Sequence, residues 1–135
     1  MAKDKRGGRS LRQQPYSEYD IIGTANNGRI KVIKAKPGIK NASVPQFSNS
    51  KNTTYFVAKE VNGVDTVTSI GVYRNRQLTQ NIDIDPILGN HYHNWQPITV
   101  RGKSKLKKDT KHRFDLSPAQ QKLISMADSW NTGGK

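Results

Sequence analysis

The sequence predicts an α+β fold: an antiparallel β-meander of three to five strands with a C-terminal helix packed on one face. Three observations support this prediction. Two segments rich in β-branched and aromatic residues flank Asn62-Gly63, a third alternating segment follows a turn at 74–76, and a capped amphipathic segment lies near the C-terminus. At 135 residues the chain has room for one hydrophobic core. We therefore expect a basic arm over residues 1–15 and a single domain over residues 16–135.

The N-terminal third combines a basic arm, one strand and a loop. Residues 1–15 are basic and almost devoid of apolar side chains, so burial cannot offset the entropy of ordering them, and we predict a disordered arm. In residues 29–36 apolar side chains are interleaved with lysines, which is typical of a half-exposed or edge strand. The Pro, Gly, Ser and Asn residues of 37–53 predict a loop.

The central part of the chain predicts the meander. Residues 54–61 and 64–73 should form a hairpin, because Asn62-Gly63 is the preferred pair for a two-residue type I′ turn. A third strand is expected over residues 77–84. Strict alternation would place Leu78, Ile82 and Ile84 on one face, and Gln77, Thr79, Asn81 and Asp83 on the other.

The C-terminal helix is predicted from its capping residues. Ser117 is a suitable N-cap, Pro118 suits the first helical position, and Gln120 completes a capping box. The helix should run over about residues 118–130. Its apolar positions predict a single buried stripe formed by Leu116, Ala119, Leu123, Met126, Ala127 and Trp130.

Composition and charge narrow the classes of function. The chain has 23 Lys+Arg against 10 Asp+Glu, a net charge of +13, which predicts a polyanionic partner: nucleic acid first, with RNA favoured, and after it an acidic protein such as an inhibitor, or a membrane surface. The absence of Cys excludes disulfides, thiol catalysis and cysteine-based zinc sites. No apolar stretch is long enough for a membrane span and no Sec-type signal is recognisable, so we expect a cytoplasmic protein.

A histidine pair is the densest group of chemically capable side chains. If the segment around Tyr92 is extended, His91 and His93 project from the same face of a strand. Two neighbouring imidazoles can act as general base and general acid near neutral pH. With the upstream carboxylates of Asp83 and Asp85 they could instead bind zinc, manganese or iron. A third reading is that all four are ordinary surface or structural residues.

The segment 101–113 is the second basic part of the chain, and we expect it to be a loop that holds phosphates close to the histidine pair. Its histidine, His112, is expected to contribute little. The predicted nucleic-acid contacts are Arg101, Lys103, Lys105, Lys107, Lys108, Lys111 and Arg113.

The passage from Ile70 to Trp95, with its Asn-Ile-Asp-Ile-Asp and His-Tyr-His runs, resembles the end of small toxin-like domains from phage and bacterial polymorphic-toxin systems. These are similar to the metal-independent ribonuclease superfamily that includes barnase, EndoU and RelE. The resemblance implies a curved antiparallel sheet with catalytic side chains on its concave face and no cofactor. It also implies acid and base roles for His91 and His93, with Asp83 and Asp85 as orienting carboxylates.

Three interpretations of the function therefore stay open. The first is a small toxin-like domain that cleaves RNA without a metal. The second is a non-catalytic nucleic-acid-binding or structural protein from a phage or mobile element. It gains weight because the Lys-His pair on the first helix of the toxins has no counterpart here, since no His precedes residue 91. The third is a metal-dependent enzyme that uses Asp83, Asp85, His91 and His93.

Overall fold

The computed structural model describes residues 18–39 and 44–134. The predicted disordered arm, residues 1–15, lies outside the described residues. The described part forms one seven-stranded sheet and one α-helix. The elements are β1 Tyr19–Ala25, β2 Ile30–Ala35, β3 Thr53–Val61, β4 Val64–Arg74, β5 Gln77–Asp83, β6 His91–Val100, β7 Lys103–Lys108 and α1 Pro118–Ser129.

The predicted α+β meander of three to five strands is wrong, because the protein is mostly sheet and the sheet is larger and mixed. The strand order follows the chain from β1 to β7, and every neighbouring pair is antiparallel except β2 and β3, which are parallel. The prediction missed β1 and β7. Strand β7 occupies the middle of the segment expected as a basic loop, because Arg101 and Gly102 adopt positive φ angles and turn the chain back along β6.

Strand β2 is an interior strand and not an edge strand. It pairs with β1 on one side and with β3 on the other. Its residues Val32 and Ile33 are 0% exposed and point to opposite faces, so each face of the sheet has its own core. The predicted hairpin between β3 and β4 is confirmed, with Asn62 and Gly63 at positive φ as a type I′ turn requires.

Helix α1 covers one face of the sheet, and residues 44–52, which precede β3, cover part of the other. We call the first the helix-side core; its buried members are Ile30, Val32, Phe56, Ala58, Val67, Ile70, Ile82, Ile124, Ala127 and Trp130. The second is the loop-side core, with Tyr19, Ile33, Val44, Tyr55, Val57, Tyr73, Leu78 and Leu106. The site described below shares the loop-side face.

A β-bulge changes which side chains of β5 share a face. Val72 pairs with Gln80 and Tyr73 pairs with Leu78, which leaves Thr79 as the extra residue. The alternation therefore reverses at Thr79, and Leu78 joins the loop-side core while Ile82 stays in the helix-side core. The prediction that Leu78 and Ile82 share a face is wrong for this reason.

The capped helix is confirmed, but its buried face is rotated about the helix axis relative to the predicted face. The Ser117 hydroxyl accepts a hydrogen bond from the Gln120 backbone N–H, and the Gln120 side chain accepts one from the Ser117 N–H. The buried positions within α1 are Gln120, Ile124 and Ala127, whereas Ala119 is exposed. Three tertiary hydrogen bonds fix this orientation: Gln120 donates to the Gln80 side chain, and the Asn131 side chain accepts from and donates to the backbone of Val67 in β4.

No helix among the described residues is both long enough and apolar enough to cross a bilayer.

Candidate functional site

The candidate site lies on the loop-side face, where β5 and β6 run side by side. The strand register places Asp83 opposite His91 and Asn81 opposite His93. Side chains of directly paired residues project from the same face, so the register alone brings a carboxylate, an amide and two imidazoles together. The prediction that His91 and His93 share one face of an extended strand is confirmed.

Both imidazoles of the pair are buried and oriented by backbone carbonyls. His91 is 2% exposed and its Nδ1 lies 2.7 Å from the carbonyl oxygen of Gly89. His93 is 3% exposed and its Nδ1 lies 3.0 Å from the carbonyl oxygen of Asp109. A carbonyl oxygen can only accept, so Nδ1 carries the proton in both rings and Nε2 is the free coordinating or basic atom.

Asp83 sits between the two free ring nitrogens. Its Oδ2 lies 3.3 Å from Nε2 of His91 and 3.4 Å from Nε2 of His93. Its other oxygen, Oδ1, accepts hydrogen bonds from Ser69 and Asn81. Asn81 is itself held by the indole N–H of Trp95, which donates to the Asn81 side-chain oxygen at 2.7 Å. This chain of hydrogen bonds fixes the carboxylate in one orientation.

A third histidine, His112, joins the site from a segment far along the chain. Arg113 and Tyr92 exchange two backbone hydrogen bonds, which brings the segment after β7 alongside the first half of β6. The exposed ring of His112 therefore packs on His91 and His93, with ring centroids 4.6 and 5.1 Å away. One ring nitrogen from each of the three histidines lies within 4.8 Å of the others.

Sequence reasoning treated His112 as an incidental residue of a basic loop, and the structure places it in the cluster. The signal that could have identified it is the turn at Arg101-Gly102, because a hairpin there returns the chain along β6 toward the histidine pair. We call His91, His93, His112 and Asp83 the histidine cluster. Phe114, 53% exposed, packs its ring against His91 and forms an apolar wall at the solvent side of the cluster.

Asp85 does not join the histidine cluster. Its carboxylate accepts hydrogen bonds from the backbone N–H groups of Ile87 and Leu88, in the turn that links β5 to β6. These two bonds lower the pKa of Asp85 below its usual value of 3.8. The turn that contains Pro86 and Gly89 separates Asp85 from the histidines, so Asp85 is not brought to them.

Burial sets the protonation of one member of the pair. The pKa of His93 is lowered, first because burial disfavours the charged ring and also because Lys108 is nearby, while the Asp109 carbonyl and Asp83 act in the opposite direction. His93 is therefore neutral at neutral pH, with an unprotonated Nε2 facing the Asp83 carboxylate.

Two open grooves lie beside the histidine cluster, and the smaller one reaches a member of it, Asp83. The larger, of about 600 Å³, runs between β6 and the segment after β7 and is lined by Trp95, Lys107, Lys108 and Arg113 among others. It also contains Asp109, whose carbonyl holds His93. The smaller groove, of about 290 Å³, reaches Asp83 and is flanked by Lys59 and Lys108. The two grooves meet at Trp95 and Lys108.

The seven basic residues predicted to contact nucleic acid fall into two groups in the structure. Lys107, Lys108 and Arg113 line the larger groove beside the cluster, although Arg113 also forms an ion pair of 2.7 Å with Asp109. Lys111 belongs to the same segment and is exposed. The remaining three, Arg101, Lys103 and Lys105, lie in the first part of β7 and the turn before it, nearer the far end of β6.

The cluster offers three ring nitrogens and a carboxylate, which can move protons or hold a metal ion. Neither family models nor curated proteins nor solved structures match the chain. The function is therefore inferred from the geometry of this site.

Proposed function

We propose that this protein binds nucleic acid, with RNA as the favoured substrate, and cleaves its phosphodiester bonds at the histidine cluster. The observation that carries this proposal is that two cation-lined grooves share Lys108 and Trp95, and that one of them reaches Asp83 of the cluster. A phosphodiester backbone needs cations to hold it and polar groups to act on one phosphorus–oxygen bond. Both kinds of group are supplied at this place on the sheet.

The charge balance around the grooves supports a polyanionic ligand. Lys107 and Lys108 are exposed at the groove, and no ion pair of either is seen within the described residues. Lys59 reaches the smaller groove from β3, on the other side of Asp83. A strand of nucleic acid lying along the grooves would meet cations on both sides of the cluster, which lowers the cost of placing a phosphate beside the Asp83 carboxylate.

The burial of each side chain limits which members of the cluster can contact the substrate. His91 and His93 are 2% and 3% exposed, so neither imidazole has free access to a phosphate in the groove. His112 is exposed and lies at the rim of the cluster. Direct proton transfer by His91 and His93, as the toxin resemblance implies, would need the site to open, whereas His112 is already exposed to solvent.

The test combines cleavage and binding of a labelled single-stranded RNA. We expect His112→Ala to lower the cleavage rate about 10²- to 10⁴-fold, the usual effect of losing a group that acts in the chemical step, with little loss of affinity. Lys122→Gln, a change at an exposed residue that lines neither groove, should leave the rate within a few fold. If the wild type binds RNA but leaves it intact, the protein is a non-catalytic binding module and the catalytic part of the proposal is wrong.

The salt dependence of RNA binding tests whether the larger groove contacts the phosphates. For single-stranded nucleic acid each neutralised phosphate adds about 0.7 to the negative slope of log affinity against log salt. Replacing both Lys107 and Lys108 with Gln should therefore flatten the slope by about 1.4. The control removes the same charge at Lys51 and Lys122, which are exposed and line neither of the two grooves. Equal slopes for the two double variants would place the contact surface elsewhere.

A further inference from the structure

We propose that the histidine cluster is a binding site for a divalent transition-metal ion of the zinc class, with His91, His93, His112 and Asp83 as its four ligands. The catalytic use of the ion rests on the proposed function, whereas its binding does not. The ligand set differs from the one the sequence suggested, because His112 takes the place of Asp85.

The first argument is the arrangement of hydrogen-bonding groups. The Nδ1 atoms of His91 and His93 donate to backbone carbonyls, so the Nε2 atoms of both rings converge on Oδ2 of Asp83. An ion at this point would meet two nitrogens and one oxygen that already face one another. Backbone carbonyls that accept from the second ring nitrogen are also the usual orienting partners of metal-bound imidazoles.

A shared proton is a weaker explanation of the same contacts. Charge-assisted hydrogen bonds between an imidazolium and a carboxylate are about 2.7–2.9 Å long. The two distances to Oδ2 are 3.3 and 3.4 Å, longer than such bonds and nearly equal to each other. Protonating both rings would also place two cations in van der Waals contact in a buried site, since their centroids are 5.1 Å apart.

The second argument is that these distances fit a tetrahedral ion. Zinc binds imidazole nitrogen and carboxylate oxygen at about 2.0–2.2 Å, and a regular tetrahedron with such bonds has edges of about 3.3–3.5 Å. The two Nε2–Oδ2 distances equal such edges. Three imidazoles bound to one ion also have ring centroids about 5 Å apart by the same geometry. The observed centroid distances are 5.1, 5.1 and 4.6 Å.

The ligands differ in how firmly they are held. His91, His93 and Asp83 lie on adjacent strands and are fixed by hydrogen bonds, so three ligands are preorganised. His112 is exposed, and the three histidine nitrogens lie within 4.8 Å of one another, which is wider than a tetrahedral edge, so His112 has to move inward to bind the ion. Phe114 packs against the rings of His91 and His112 and adds an apolar side chain beside the ion.

With RNA bound, the ion has a defined chemical use. Zinc lowers the pKa of a bound water, which here would have to enter as a fifth ligand because the four side chains complete the tetrahedron. The resulting hydroxide would add to phosphorus, the bond from phosphorus to the leaving sugar oxygen would break, and that oxygen would take a proton from water. The products are a phosphate monoester and an alcohol, so one water is consumed and no oxidant or reductant is needed.

The test measures metal binding directly. The full chain, purified without a histidine tag and stripped with EDTA that is then removed, is titrated with Zn²⁺ by calorimetry and with Co²⁺ by visible absorption, since tetrahedral cobalt absorbs strongly. We expect one ion per chain. Asp83→Asn and His112→Ala should each weaken binding at least about 100-fold, more than the 10–100-fold typical of losing an orienting partner alone.

Asp85→Asn is the matched control for Asp83→Asn. It makes the same chemical change two residues away, at a carboxylate that caps a turn, and should leave the affinity for Zn²⁺ unchanged. The metal site is refuted if no saturable binding occurs, or if Asp83→Asn and Asp85→Asn have equal effects. RNA cleavage that continues in EDTA would leave the proposed function standing without the ion. Metal binding without cleavage would leave the site standing and remove the proposed function.

Discussion

Truncation of Ile124 to alanine tests how helix α1 packs on the sheet. Ile124 is 7% exposed and belongs to the helix-side core. The change removes three carbon atoms, and at about 0.8 kcal/mol for each buried CH₂ the lost transfer free energy is about 2.4 kcal/mol. The cavity left behind adds to this cost, while the higher helix propensity of alanine offsets about 0.4 kcal/mol. We expect a net loss of about 2–4 kcal/mol.

Ile87 provides the control, because Ile87→Ala removes the same atoms from a side chain that is 96% exposed. That variant should lose less than about 0.5 kcal/mol. Thermal melting followed by circular dichroism measures both. For a chain of this size about 1 kcal/mol corresponds to roughly 3–4 °C, so Ile124→Ala should melt about 10 °C below the wild type. If the two alanine variants melt at the same temperature, the helix does not pack through Ile124 and the described core is wrong.

Two further predictions concern a close backbone approach and an ion pair. A β-carbon at Gly71 would lie 2.5 Å from Cγ1 of Val44 and 2.8 Å from the Tyr73 ring, so Gly71→Ala should cost about 1–3 kcal/mol in urea unfolding; an unchanged midpoint would contradict the packing of Val44 on the sheet. The hydrogen bond from Lys34 to Asp65 raises the pKa of Lys34 above its usual value of 10.5. The pair therefore stabilises the folded protein fully below pH 10.5, and this stabilisation is lost as the pH rises through the raised pKa. The unfolding midpoint of Lys34→Gln should therefore fall below that of the wild type at neutral pH and approach it in strong alkali, and a difference that does not change with pH would refute the pairing.

Local sequence signals predicted the parts of the fold that depend on neighbouring residues. The Asn62-Gly63 turn, the capping box at Ser117 and the common face of His91 and His93 are each specified within a few residues. The missed features depend on contacts distant in the chain. The bulge at Thr79 reverses the facing of Leu78, and no pattern within β5 marks it. The parallel pairing of β2 with β3 depends on how the connection between them returns.

The site was predicted only in part, again because the sequence signals are local. His91, His93 and Asp83 are adjacent through the register of one strand pair, so spacing alone suggested them. Asp85 shares the spacing but lies in the turn, where backbone N–H groups compete for its carboxylate. His112 reaches the cluster only because β7 returns along β6, and a run of lysines does not have the hydrophobic alternation by which strands are usually recognised.

The parallel pairing of β2 with β3 predicts that the two parts of the sheet assemble one after the other. Strands β3 to β7 are joined by short connections, so their contacts are local and cost little loop-closure entropy. Strand β2 can join them only after the long connection, residues 36–52, has closed and seated Val44 beside Gly71. We therefore expect the meander that carries the histidine cluster to form early in folding, and the N-terminal strands to dock last and detach first.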